Sequence, residues 1–114
     1  MMSRQQLESD LRDIRIKKLC KDVWFLNAKI VTDIYIICQF IDDRNEDYAC
    51  DNAISRKFVI QVDVFSKGDY STLVKTIEEV LTEKEYRFVN GFDIWEDDTK
   101  LYHKVLRFNY KEFK

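Results

Sequence analysis

Residues 54–66, ISRKFVIQVDVFS, place the tightest limit on what this chain can become. Apolar side chains fall at every second position: Phe58, Ile60, Val62 and Val64 point one way, and Lys57, Gln61 and Asp63 point the other. That period of two describes a strand with one face in a core. DIYIICQFID (33–42) is rich in β-branched and aromatic residues and also reads as a strand. Ile34, Ile36, Cys38 and Phe40 share one face, and Tyr35, Ile37 and Ile41 share the other with Gln39. Both faces are apolar, so this strand is covered on both sides within the monomer or meets another chain.

Two helices accompany the strands. Ser3 with Gln6 matches a capping box, and Leu7, Leu11 and Ile14 then recur at helical spacing. The expected first helix covers 3–20. KGDYSTLVKTIEEVLTEK (67–84) is the second, with Gly68 and Asp69 at its start and a buried stripe of Tyr70, Leu73, Ile77, Val80 and Leu81. Residues 23–31 fit either an extension of the first helix or an irregular lead-in to a strand. Two further strands cover 86–96 and 100–110; Asn90-Gly91 suggests a bulge in the former, and Leu106, Phe108 and Tyr110 form the core face of the latter. The polar stretch 43–53 reads as a long loop. The expected fold is α+β: an antiparallel four-stranded sheet with two helices on one face, in the order α-β-β-α-β-β. A length of 114 residues fits a single domain over 1–114, with a helix at 3–20 and a sheet-plus-helix core at 33–110. The absence of proline and the presence of only two glycines argue against linkers and a loop-rich fold.

Charge narrows the function. The net charge is −2 and the pI about 5.4, with acids and bases mixed along the chain, so tight binding to a phosphate backbone is not expected. No apolar run reaches membrane-spanning length, and MMSRQQLESDLRD has no signal-peptide core; the expected location is the cytoplasm. Cys20, Cys38 and Cys50 suggest neither a disulfide framework nor a zinc site.

Candidate chemistry is sparse. Asp63, followed later by Asp98-Thr99-Lys100, matches the minimal acid and acid-x-lysine pattern of a magnesium-dependent nuclease, in which two carboxylates hold the ion and lysine orients water. A charged hairpin turn at 97–100 is the plainer reading. His103 is the only histidine and shares a strand face with Leu101, Val105 and Arg107, as a half-buried structural histidine would. Asp42, Asp43, Glu46, Asp47 and Asp51 form an acidic cluster without the spacing of a calcium loop. Two glycines build no phosphate loop. No catalytic, cofactor-binding or metal-binding residue is assigned, and no cofactor is expected. Tyr35, Ile37, Ile41, Phe65 and Trp95 remain on the second sheet face as candidate assembly contacts.

The segments YIICQFIDDRNEDYACDNAISRKFVIQVDVFSKGDYSTLVKTIEEVL and FVNGFDIWEDDTKLYHKVLRFNY resemble the small tail-completion proteins of long-tailed bacteriophages and prophages, also called tail terminators or tail-to-head joining proteins. The likeness runs over about residues 34–110 and rests on the QVDVFSK strand ending in DY, the helix after it and the EDDTKLYHKVLRF hairpin. Where family members often carry proline and glycine before the first strand, this chain has LNAKIVTD. The resemblance implies a non-enzymatic assembly protein of the virion. Its subunits would form a ring, usually of six, that caps the tail tube and docks it to the head connector, with DNA passing through and no membrane involved. The acidic stretch with Asp42, Asp43, Glu46, Asp47 and Asp51 would then contact the tube or connector, or line the channel. The alternatives are a magnesium-dependent nuclease-like domain and a small regulatory or ligand-binding homo-oligomer.

Overall fold

Strand β3 (Asn52–Ser66), built on the strict alternation at 54–66, is the middle strand of a five-stranded sheet in the computed structural model, which describes residues 2–113. The other strands are β1 (Val23–Phe25), β2 (Ile34–Ala49), β4 (Arg87–Glu96) and β5 (Leu101–Phe113), and their order across the sheet is β1-β2-β3-β5-β4. β1 runs parallel to β2, and every other pairing is antiparallel. Helices α1 (Arg4–Leu11), α2 (Ile14–Lys17) and α3 (Ser71–Glu83) pack on one face.

This corrects the expected four-stranded antiparallel sheet with two helices. The sheet is mixed and has five strands, and the described residues contain three helices. Two local events explain the difference. The segment 3–20 breaks after Leu11: Asp13 adopts an extended ψ of 142°, and its Oδ1 accepts the Arg15 amide at 3.0 Å, which starts a second helix. Val23–Phe25 then joins the sheet edge as β1, pairing with Ile36–Cys38. Three residues are too few to display a period.

The core between helices and sheet matches the expected faces. Phe58, Ile60, Val62 and Val64 enter it from β3, and Leu106 and Phe108 from β5. Leu73, Ile77, Val80 and Leu81 meet them from α3, with Leu7, Leu11 and Ile16 from the N-terminal helices. Tyr70 and Tyr110 pack at its margin. The residue that caps α3 is Tyr70, without a side-chain cap bond, and Asp69 just before it accepts the Ser71 amide at 2.8 Å in a local turn. One charged group lies inside this layer. Asp10 is 8% exposed and accepts hydrogen bonds from Tyr86 Oη at 2.7 Å and Gln6 Nε2 at 2.8 Å. Burial and that bond to Asp10 push the Tyr86 hydroxyl well above its ordinary pKa.

The stretch 43–53 is not a loop. β2 and β3 continue as a ribbon to Ala49 and Asn52, with the end of β5 beside β3 as far as Ser55, and only Cys50 and Asp51 turn. Both have positive φ, 51° and 63°, the backbone of a two-residue hairpin turn that favours Asn-Gly. The ribbon's composition hides it: beyond the helices both faces meet water, so neither needs an apolar alternation. The bulge in β4 falls between Phe88 and Asn90, one step before the expected place. Gly91 serves space rather than angle, because a Cβ there would lie 3.1 Å from the Val105 carbonyl oxygen and 3.2 Å from Leu106 Cδ2.

Two outcomes test this fold. Tyr86→Phe leaves part of Asp10 buried without a donor and is expected to lower stability by about 1–3 kcal/mol in urea titration; an unchanged midpoint would contradict the bond. Cys50→Asn with Asp51→Gly relieves two left-handed residues and is expected to raise stability by about 1–2 kcal/mol. A flexible loop there would leave thermal unfolding unmoved.

Candidate assembly surface

No helix covers the second face of the sheet among the described residues, and the five candidate assembly contacts divide on it. Tyr35 and Phe65 are buried and stack at 4.7 Å. With Leu101 they form a second small core, against which Trp24, Ala28 and Ile37 pack. These side chains are occupied within the monomer. Ile41 stands apart, 46% exposed at the register shift between Phe40 and Asp42. Trp95 lies on the helix side: it sits opposite Tyr102 at 4.9 Å and donates its indole N–H to Asp97.

Polar side chains fill the centre of the second face in a chain. His103 stacks on Phe65 with centroids 4.1 Å apart. Its Nε2 lies 2.9 Å from Asp63 Oδ1, and its Nδ1 2.9 Å from Glu96 Oε1. Gln61 Nε2 donates to the same Asp63 carboxylate at 3.1 Å, and Arg107 Nε donates to Gln61 Oε1 at 3.3 Å. A neutral imidazole carries one N–H, so only imidazolium satisfies both carboxylates at once. Burial of the ring opposes its charge, but the hydrogen bond and charge of Asp63, together with Glu96, outweigh burial and raise the His103 pKa above 6.5. His103 is thus half-buried, as anticipated, with two acidic partners the sequence did not disclose.

The nuclease geometry is not present. Asp63 lies opposite Val105, and Asp98 and Lys100 are exposed in the turn before Leu101. Val105 and Leu101 alone are separated by about 13 Å of strand, too far for carboxylates at the two places to share an ion. Lys100 closes the turn, with φ of 59° and its amide donating to the Glu96 carbonyl at 2.9 Å.

The acids of 42–51 lie along the ribbon, and four of the five have basic partners. Asp42 faces Arg44 at 3.3 Å, and Asp43 accepts from Arg56 at 2.8 Å. Glu46 lies between Arg44 and Lys57, and Asp47 pairs with Lys111. The Lys111 bond, with a second from Ser55, holds the Asp47 carboxyl below its ordinary pKa. Asp51 stands exposed at the tip. The ribbon is therefore mixed in charge.

Strand β4 as a whole was not among the expected contacts. It is the last strand of the sheet and pairs only with β5. Phe88, Val89, Phe92, Ile94 and Trp95 are each 41–53% exposed along it. Such an outer strand offers unpaired amides and carbonyls beside apolar side chains, and it carries no proline and only Arg87, Asp93 and Glu96 as charges. The signal was present in RFVNGFDIW, where apolar residues fall on both faces with a single acid among them.

No family model matches the chain, and no curated protein matches it. Among the described residues no helix is long and apolar enough to cross a membrane, and no group of three or more His, Cys, Asp or Glu could hold a metal ion. The surface carries an open apolar strand, a projecting ribbon and a face tied together by a histidine.

Because the folded pKa of His103 lies above the unfolded value near 6.5, the stability it contributes is present in full below that value. It is lost as pH rises through the folded pKa. Thermal stability is expected to fall across this window in the native chain, and His103→Gln is expected to flatten the fall. An identical pH profile in the variant would contradict the double ion pair.

Proposed function

We propose that this protein is a structural component of bacteriophage or prophage assembly whose subunits join into a ring, six in number, that caps the tail tube and docks it to the head. The observation that carries this reading is the outer strand β4, with five large apolar side chains exposed beside a row of unpaired main-chain groups. A monomeric protein would be expected to blunt such an edge. A subunit that always ends beside a neighbour has no need to.

Other features agree. The resemblance to tail-completion proteins spans residues 34–110, and it includes the QVDVFSK segment that forms β3 and the hairpin of β4 and β5. The ribbon stretches the molecule to 52 Å against 28 and 24 Å in the other directions, which gives a subunit reach toward a tube or connector protein. The net charge of −2 favours passage of DNA over retention. The protein then acts in the host cytoplasm during assembly and stays in the virion at the head–tail junction, with the tail-tube protein and head connector as partners. Bond-making chemistry plays no part in this role.

Interrupting the gene in its phage or prophage tests the proposal. DNA-filled heads and separate tails are expected to accumulate, and a copy supplied in trans is expected to restore joined particles. Normal yields of joined particles without the gene would overturn it.

A further inference from the structure

We infer that neighbouring copies join by antiparallel main-chain pairing between β4 of one copy and residues 39–49 of β2 of the next. This rests on the ring reading and specifies its interface. β2 has a second open edge that is easy to overlook. β1 occupies its outer side only at Ile36–Cys38, and from Gln39 onward no strand pairs there among the described residues. The chain therefore carries two open edges, one on each side of the sheet.

The two edges fit each other. From β2 to β3 to β5 to β4 every step is antiparallel, so β4 runs opposite to β2. A second copy in the same orientation presents its β2 antiparallel to β4 without being turned over. β4 has ten residues, a match for the open stretch 39–49. Both edges are apolar in part: Phe92 and Ile94 are exposed on one, Ile41 and Tyr48 on the other. Neither contains proline.

β1 also dictates the stagger. β4 lies level with β3 residues 59–66, since Arg87 pairs with Asn109, which pairs with Val59, and Trp95 pairs with Tyr102, which pairs with Ser66. The open part of β2 lies level with 52–61, because Ala49 pairs with Asn52 and Gln39 with Gln61. A neighbour approaching level with β4 would collide with β1, so it must slide by about six residues, or roughly 20 Å. The repeat across the sheet is four strand widths, about 19 Å. Strands joined on that slope tilt by roughly 45°, at the upper end of the range that closes sheets into barrels. The interface is heterologous, and that tilt favours closure into a collar over an open filament.

Disulfide trapping tests the pairing. In a Cys50→Ser background, which leaves only the buried Cys20 and Cys38, one batch carries Ile94→Cys and a second carries Arg44→Cys. Phe92→Cys with Arg44→Cys forms a second pair that samples the register, matching the six-residue slide where Ile94→Cys with Arg44→Cys matches a slide of eight. All three positions lie on the second sheet face by strand parity. Unchanged thermal unfolding of each variant confirms folding. On mixing and mild oxidation, one pair or both are expected to give mixed disulfides in about tenfold excess over either homodimer, because pairing raises the local thiol concentration to the millimolar range. Predominant Ile94→Cys homodimers would mean a two-fold contact of β4 with itself and would overturn the inference. Rings seen by light scattering and microscopy, without a mixed disulfide from either pair, would overturn the edge pairing and leave the collar function standing. A mixed disulfide that yields only open chains would uphold the pairing and contradict the collar. A monomer at the highest soluble concentration with no mixed disulfide would overturn the inference, while gene interruption would still decide the function separately.

Discussion

Helices cover one face of this sheet and not the other, and much of the molecule follows from that asymmetry. On the covered side β2, β3 and β5 meet the three helices in a closed layer of aliphatic and aromatic groups, with Ile36, Ile60, Val62 and Phe108 from the strands and Leu11, Ile16 and Ile77 from the helices. On the other side the sheet must satisfy itself. It does so with a small aromatic cluster around Tyr35 and Phe65, and with the chain of polar contacts that runs from Glu96 through His103, Asp63 and Gln61 to Arg107. Isolated polar groups on such a surface would be hydrated. Linked across three strands, they fix the register of β3, β4 and β5 instead.

The same asymmetry leaves the sheet's boundaries open. A helix laid across the second face could also have wrapped an edge, but here β4 ends the sheet and β1 shields only three residues of β2. Open edges invite pairing with another chain, which is a hazard in a solitary protein and a joint in an assembling one. The ribbon of β2 and β3 adds reach without a core of its own. It is held by ion pairs across its strands, such as Asp43 with Arg56 and Glu46 with Lys57, and is tied to β5 by Asp47 with Lys111, each pair weak at an exposed site.

Much of the core was legible in the sequence because a buried face imposes a period. Phe58, Ile60, Val62 and Val64 alternate, and Leu73, Ile77, Val80 and Leu81 recur at helical spacing, and all of them lie where those periods placed them. The remaining features lack such a constraint. β1 is too short to carry a period, and the ribbon is solvated on both faces, so DRNEDYACDN has the composition of a loop while forming strands. The turn at Cys50-Asp51 lacks the glycine that marks such turns, as does Lys100 at the end of the other hairpin. Assembly residues were harder still. Tyr35 and Phe65 looked surplus on the second face because the aromatic partner of each is distant in sequence, and β4 became visible as an edge only when the strand order was known.

Hydrogen exchange of the main-chain amides, followed from dilute subunits to the assembled collar, tests edge-to-edge joining most directly. Pairing of the two open edges requires amides within 87–96 and within 39–49 to gain protection together on assembly, while those of α3 stay as they were. Collars in which both segments exchange as fast as in the dilute subunit, with protection gained elsewhere, would contradict it.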